Sequence, residues 1–140
     1  MRGMAEADIY SVVGVVGQSS FMLNDTLRNN ITMFDNTADI TALLDDLQLT
    51  ALAERVGDTP LGDFGDNISG GEWQRISIAR TLHKQPKIII FDEPTTGLDP
   101  ENTRLINEYI FTLEGVTHIV VSHDWDEEYL AQFDDVIRLT

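Results

Sequence analysis

The run Lys87-Ile88-Ile89-Ile90-Phe91 ends in two adjacent carboxylates, Asp92 and Glu93, with Pro94 behind them. An apolar run of this length reads as a buried strand, and the acids then sit at its carboxyl end. That is the edge where open α/β sheets build their ligand crevices. A carboxylate held by a rigid strand suits Mg²⁺, bound directly or through a water. Its neighbour can orient and polarise a water for attack on a phosphoryl group. A strand that ends in solvated acids has the same pattern, and this stretch alone leaves both readings open.

A second stretch, Asn67-Ile68-Ser69-Gly70-Gly71-Glu72-Trp73-Gln74-Arg75, lies shortly before it in the chain. A serine and two glycines that open a helix present bare backbone amides and a hydroxyl at the positive end of the helix dipole. Such an end attracts anions. An ordinary helix cap uses the same residue types. The order of the two stretches, a Ser-Gly-Gly opening followed by an apolar strand ending Asp-Glu-Pro, decides for the anion site.

These residues need elements to hold them. Apolar runs predict strands at Ile9–Val16, Ile88–Phe91 and Ile119–Val121, with a weaker one at Val136–Leu139. The second is continuously apolar, as expected of a parallel strand covered on both faces. Helical spacing joins Ile40, Leu43, Leu44 and Leu47 into one stripe. It recurs from Ser69 to His83 through Ile76, Ala79 and Leu82, and from Glu101 to Leu113 through Leu105, Ile106, Tyr109, Ile110 and Leu113. From Ile88 onward the order is strand, helix, strand, helix, strand, an α/β plan with right-handed crossovers. Residues 25–60 carry helical and turn signals without a convincing strand, and read as a small helical insertion.

The 140 residues suffice for one compact domain, and 42% hydrophobic content marks it as globular. No run is long and apolar enough to span a membrane, and Met1 to Glu6 lacks the apolar stretch of a signal peptide. With no cysteine, disulfides and thiolate metal sites are excluded. A net charge of −15 repels phosphate backbones and anionic lipid, so nucleic acid is not an expected partner.

Taken together, the motifs resemble the ATP-binding cassette (ABC) ATPase family. Ile68-Ser69-Gly70-Gly71-Glu72 is similar to its signature motif, with Ile for Leu and Glu for Gln. Ile88 to Asp92 resembles the Walker B strand, and Glu93 falls at the catalytic glutamate. Thr96-Gly97-Leu98-Asp99 resembles the D-loop, and Ser122-His123-Asp124 the switch histidine. Gln18, followed by Phe21-Met22-Leu23-Asn24-Asp25-Thr26-Leu27, resembles the Q-loop and the helix after it. The resemblance implies ATP and Mg²⁺ as cofactors. Asp92 would hold the metal, Gln18 would reach both the metal and the water through its amide, Glu93 would polarise the water, and His123 would touch the γ-phosphate, which suits a side chain able to donate a hydrogen bond neutral or charged. Ser69, Gly70, Gly71 and Glu72 would form the signature contact to ATP held by a second nucleotide-binding domain in a head-to-tail dimer, and Asp99 would touch that domain. The implied fold is a partial P-loop NTPase, a mostly parallel sheet flanked by helices. Residues 1–23 would form a strand and the Q-loop, 24–83 a helical subdomain with the signature, and 84–140 the rest of the core.

A Walker A loop, Gly-x-x-x-x-Gly-Lys-Ser/Thr, is not in the sequence. The lysines are Lys84 and Lys87, both after the signature, and Gly14-Val15-Val16-Gly17-Gln18 has none. The expectation is therefore a carboxyl-terminal portion of the domain, with little ATPase activity alone and with unpaired sheet edges that invite association. Asn24-Asp25-Thr26-Leu27-Arg28-Asn29-Asn30-Ile31 resembles the exporter class, which implies a transmembrane partner domain and a place at the cytoplasmic side of the membrane. Asp63-Phe64 stands where exporters carry a Glu-Arg coupling pair. Two alternatives are a non-catalytic subunit that lends a signature half-site to a complete cassette, and an SMC-type DNA ATPase. The second would call for heptads and basic surface, which the sequence does not offer.

Overall fold

The computed structural model describes residues 5–17, 20–62, 66–123 and 126–139. Gln18, the Asp63-Phe64 pair and Asp124 lie outside these. Three parallel strands form the sheet in the order β1 (Val13–Val16), β2 (Ile88–Asp92), β3 (Thr117–Val121). Val16, Phe91 and Val120 are in register, as are Val15, Ile90 and Ile119. Seven helices are described: α1 (Glu6–Val12), α2 (Leu27–Thr32), α3 (Thr41–Asp46), α4 (Thr50–Val56), α5 (Gly70–His83), α6 (Pro100–Thr112) and α7 (Glu127–Leu130).

The helix starts follow from their caps. Ser69 Oγ accepts from the Glu72 amide at 3.1 Å while the Glu72 carboxylate accepts from the Ser69 amide at 3.0 Å, so α5 begins with a reciprocal capping box. Asp99 caps α6 by accepting from Asn102 N at 2.8 Å, with Pro100 at the first helical position, where a missing N–H costs nothing. Thr26 caps α2 through Asn29 N. The stripe Ile40, Leu43, Leu44, Leu47 is realised in α3, whose two buried ends, Ile40 and Leu47, flank the helix as its caps. As expected, residues 25–60 hold helices and turns, and α2 packs on α5.

The core lies between one face of the sheet and the helices. Val16, Ile89 and Phe91 point into it, with Ile76, Ile78 and Ala79 of α5 and Ile106 and Ile110 of α6, all essentially inaccessible. Gly14 of β1 faces Thr81 of α5 so closely that a Cβ would overlap the Thr81 methyl. The glycine is there for helix–strand approach.

Three expectations are corrected. The strand expected over Ile9–Val16 is a strand only from Val13; Glu6–Val12 is helical. Asp8 there accepts from the Ala5 amide at 3.1 Å and the Ser11 hydroxyl donates back to Asp8 O, so local polar groups hold the turn that the apolar residues alone did not announce. Val136–Leu139 pairs with no strand among the described residues, and Ile137 and Leu139 are more than four-fifths exposed. Finally, the sheet is covered on one face only among the described residues. Val15, Ile119 and Val121 are 60%, 50% and 48% exposed, and the Ile90 between them is partly so. Continuous apolarity in β2 matched two-sided burial, but among the described residues no second layer packs there.

Phe91 fills the centre of the packed face. Phe91→Ala should cost about 3–5 kcal/mol, a large share of a total of about 5–15 kcal/mol. Ile137→Ala should stay within about 0.5 kcal/mol. Urea unfolding followed by circular dichroism checks both, and equal midpoints for the two variants would contradict this packing.

Candidate functional site

Parallel strands end on the same side, so β2 and β3 deliver their carboxyl-terminal residues to one edge. Asp92 closes β2 in register with Val121, and the Glu93 amide donates to Val121 O at 2.8 Å. That bond ties the first residue after β2 to the last residue of β3. His123, two residues farther on, comes back to it: His123 Nδ1 lies 2.5 Å from Glu93 Oε1. The other carboxylate oxygen, Glu93 Oε2, accepts from the Thr96 hydroxyl at 2.9 Å. The Glu93 side chain is 23% exposed and that of His123 is 77% exposed. The acid is anchored and the imidazole is open to solvent.

Glu93 also has a backbone φ of +52°, in the left-handed region that a branched or charged residue enters at a cost. The surrounding bonds to Val121, Thr96 and His123 hold it there. Such strain concentrates where a side chain must point in a direction regular structure does not offer. The hydrogen bond from His123, then that from Thr96, hold the Glu93 carboxyl below the usual glutamate range against the opposing effect of partial burial.

The glycine-opened helix meets this acid across a cleft of about 280 Å³. Gly70, Trp73 and Gln74 form one wall, and Glu93, Pro94, Thr96 and Leu98 the other. Ser69 and Gly70 are exposed and Gly71 is buried. A Cβ on Gly71 would run into the Asn102 amide, so the approach of α5 to α6 requires a glycine. Asn102 in turn accepts from Arg75 Nη1 at 2.9 Å and donates to Asp99 Oδ2 at 2.7 Å. Asp99 thus stands exposed at the start of α6, chained through Asn102 to the helix that follows Ser69. Gly97, in the same turn, has φ +80° and is free of steric contact, so it serves the bend itself.

Glu72 points back into the protein. Burial pushes its carboxyl up, but the Ser69 amide and Arg55, whose Nη2 lies 2.9 Å away, outweigh that and leave it below its ordinary value. Its role in this geometry is to fix the turn that presents Ser69 and Gly70. Of the residues expected at the site, Glu93, His123 and Gly70 converge. Asp92 sits beside them at the strand end; Ser69, Gly71 and Glu72 form the first turn of α5 around Gly70, and Asp99 is joined to that helix through Asn102 without lining the cleft. Asn102 and Arg55 belong to none of the sequence motifs, and Thr96 enters them only as the first residue of Thr96-Gly97-Leu98-Asp99. The spacing of Thr96 and Asn102, three residues after Glu93 and Asp99, could have flagged them as capping partners; Arg55 left no local signal.

Metal chemistry fits the donors present. Among the described residues no cluster of three or more histidines and carboxylates gathers. Mg²⁺ asks for no such cage, since it takes one or two carboxylates and completes its shell with waters and phosphate oxygens. The exposed Asp92 carboxylate at a strand end meets that demand.

Because the Glu93 pKa is depressed in the folded chain, the pair with His123 stabilises the fold above the ordinary glutamate range. That contribution is lost as pH falls through the folded value. His123→Ala should therefore move the Glu93 titration upward, and Thr96→Val should do so less. Carboxyl-carbon NMR titration reads this directly, and an unmoved Glu93 in His123→Ala would refute the pairing.

Comparison with known proteins follows the same lines. The family described as "ABC transporter" matches residues 4–96. The "ATP-binding cassette sub-family B member 6" of Xenopus tropicalis is 39% identical over 84% of this chain and 15% of its own length. The "Heterocyst differentiation ATP-binding protein HepA" of Nostoc is 39% identical over 79% of this chain and 19% of its own. The "Toxin RTX-I translocation ATP-binding protein" of Actinobacillus pleuropneumoniae is 36% identical over 79% and 17%. Among solved structures, that of "a bacterial Atm1-family ABC exporter with ATP bound" superposes with a TM-score of 0.74 at 31% identity, over 86% of this chain and 22% of the other. The chain thus spans less than a quarter of the length of each. On the matched residues and the shared fold, the chain belongs to the ABC transporter family.

Proposed function

We propose that the chain serves as part of the ATP-hydrolysing domain of an ABC exporter, coupling Mg-ATP binding and hydrolysis to transport across a membrane. It would work at the cytoplasmic face, joined to a transmembrane domain and facing a second nucleotide-binding domain head to tail. The observation that carries this reading is the anchored Glu93, held by Thr96 and His123 on one wall of a cleft whose other wall is the glycine-opened start of α5.

Each residue then has a task its position allows. Asp92 would hold Mg²⁺, with Gln18, which lies outside the described residues, joining it as the family resemblance implies; the bound ion would neutralise phosphate charge. Glu93 is ionised at neutral pH and so orients the attacking water by accepting its hydrogen bond. The water oxygen bonds to the γ-phosphorus as the bond to the bridging oxygen breaks and ADP leaves, and the water's proton passes by way of the Glu93 carboxylate to the released phosphate. His123, exposed and free to turn from Glu93, hydrogen-bonds the γ-phosphate. Ser69, Gly70 and Gly71 offer a hydroxyl and amides to ATP on the partner domain, with Glu72 fixing their turn, and Asp99 meets that domain.

Alone, the chain does not hydrolyse ATP, because no loop in its sequence supplies the lysine and glycine amides that neutralise the β- and γ-phosphates. Phosphate release by the purified chain in Mg-ATP should stay at background and be unchanged by Glu93→Gln. Robust turnover lost in Glu93→Gln would overturn this. The exposure of Ser69 and Gly70 favours a second reading, in which the chain lends its signature wall to a complete cassette. Retention on an immobilised complete exporter only when ATP is present would support it, and no retention in either condition would reject it.

A further inference from the structure

The helix that opens on Ser69 carries two side chains that reach far across the sequence to the same short segment. Trp73 Nε1 donates to Ser20 O at 3.1 Å. Arg80, two turns later on the same face, donates from Nη1 to Phe21 O at 2.8 Å. Its guanidinium lies 4.4 Å over the centre of the Phe21 ring. It also reaches the Met22 sulfur and the carbonyl and side-chain oxygens of Asn30. Asn30, itself inaccessible, exchanges hydrogen bonds with both the amide and the carbonyl of Leu23.

This arrangement is more specific than core packing. Arg80 is a charged group, 7% exposed, and every bond it makes among the described residues goes to a neutral acceptor. A buried cation without a carboxylate is costly, so its neutral partners must be held in place to satisfy it. Of the two carbonyls it binds, that of Phe21 belongs to a segment without regular structure and that of Asn30 to α2. Two consecutive carbonyls, at Ser20 and Phe21, are thus held by one helix face. The segment begins two residues after Gln18. Its upstream side is closed as well, since the Ser20 hydroxyl donates to Gly17 O at 2.8 Å.

We propose that Trp73 and Arg80 are positioning residues that make α5 and residues 20–23 one rigid body, so that the start of α5 and the segment following Gln18 cannot move independently. Ser69, at the start of that helix, then keeps a fixed relation to residues 20–23. This rests on the reading of Ser69 and Gln18 as parts of an ATP site only for its functional meaning; the coupling itself is a property of the chain without nucleotide.

The test uses the full 140-residue chain, labelled with ¹⁵N. In the wild type, the Trp73 indole N–H should exchange with solvent about tenfold or more slower than a free indole. Trp73→Phe keeps the ring and removes the donor, and Arg80→Lys keeps the charge and removes the fork. Either should raise amide exchange at residues 21–23 by about fivefold or more, the loss of one net hydrogen bond, while β2 and β3 amides keep their rates. Ser69→Ala, which loosens the start of α5, should shift the 21–23 amide resonances in the wild type and leave them nearly unmoved in the Arg80→Lys background. Packing without coupling would not produce that dependence. Unchanged exchange at 21–23, a uniform rise throughout the sheet, or equal Ser69→Ala shifts in both backgrounds would each overturn the proposal. None of these readings needs ATP, so the outcome stands apart from the phosphate-release and retention measurements.

Discussion

The parallel pairing of β2 with both of its neighbours is what the rest of the molecule depends on. A parallel strand can be reached from its neighbour only by a crossover that returns the chain to the same starting edge. All three strands therefore end together, and every loop that leaves them is delivered to one rim. The Glu93 amide is bonded to the last carbonyl of β3, so the acid and the histidine from the next strand meet without any long-range search. Had β3 paired antiparallel, its carboxyl end and His123 would lie at the opposite rim.

On that rim, geometry is held by polar groups more than by apolar contact. Glu93 is strained in its backbone and tethered at both carboxylate oxygens. Ser69 and Glu72 satisfy each other, and Arg55 satisfies what remains of Glu72. Asn102 joins Arg75 to Asp99 while pressing on Gly71. The apolar core beneath, centred on Phe91 and the inward residues of α5 and α6, provides a rigid base for these bonds. Chemistry sits where hydrogen bonds set direction, and the core sets only distance.

Much of this was legible in the residues because caps and apolar runs are local signals. Ser69, Glu72 and Asp99 announce helix starts by their own side chains, and the run before Asp92 could be little other than a strand. The apolar residues from Ile9 to Val16 read as one strand, and the polar bonds of Asp8 and Ser11, which that reading passes over, go with the helix up to Val12. Exposure of Val15 and Ile119 was illegible for a different reason: burial depends on what packs against a face, not on the face. The partners of Trp73 and Arg80 are backbone carbonyls, which every residue has and no sequence marks. The meeting of Glu93 with His123 came into view only through family resemblance, since thirty positions separate them.

One face of the sheet is bare among the described residues, and this has a bearing on how the chain behaves in solution. Apolar rows through Val15, Ile90 and Ile119 pull molecules together, while a net charge of −15 pushes them apart. The first force acts at contact and is indifferent to dilute salt; the second reaches only a Debye length, about 10 Å at 0.1 M ionic strength. Colloidal stability is thus set by the buffer: dilute electrolyte keeps molecules dispersed, and concentrated electrolyte lets the greasy faces find one another.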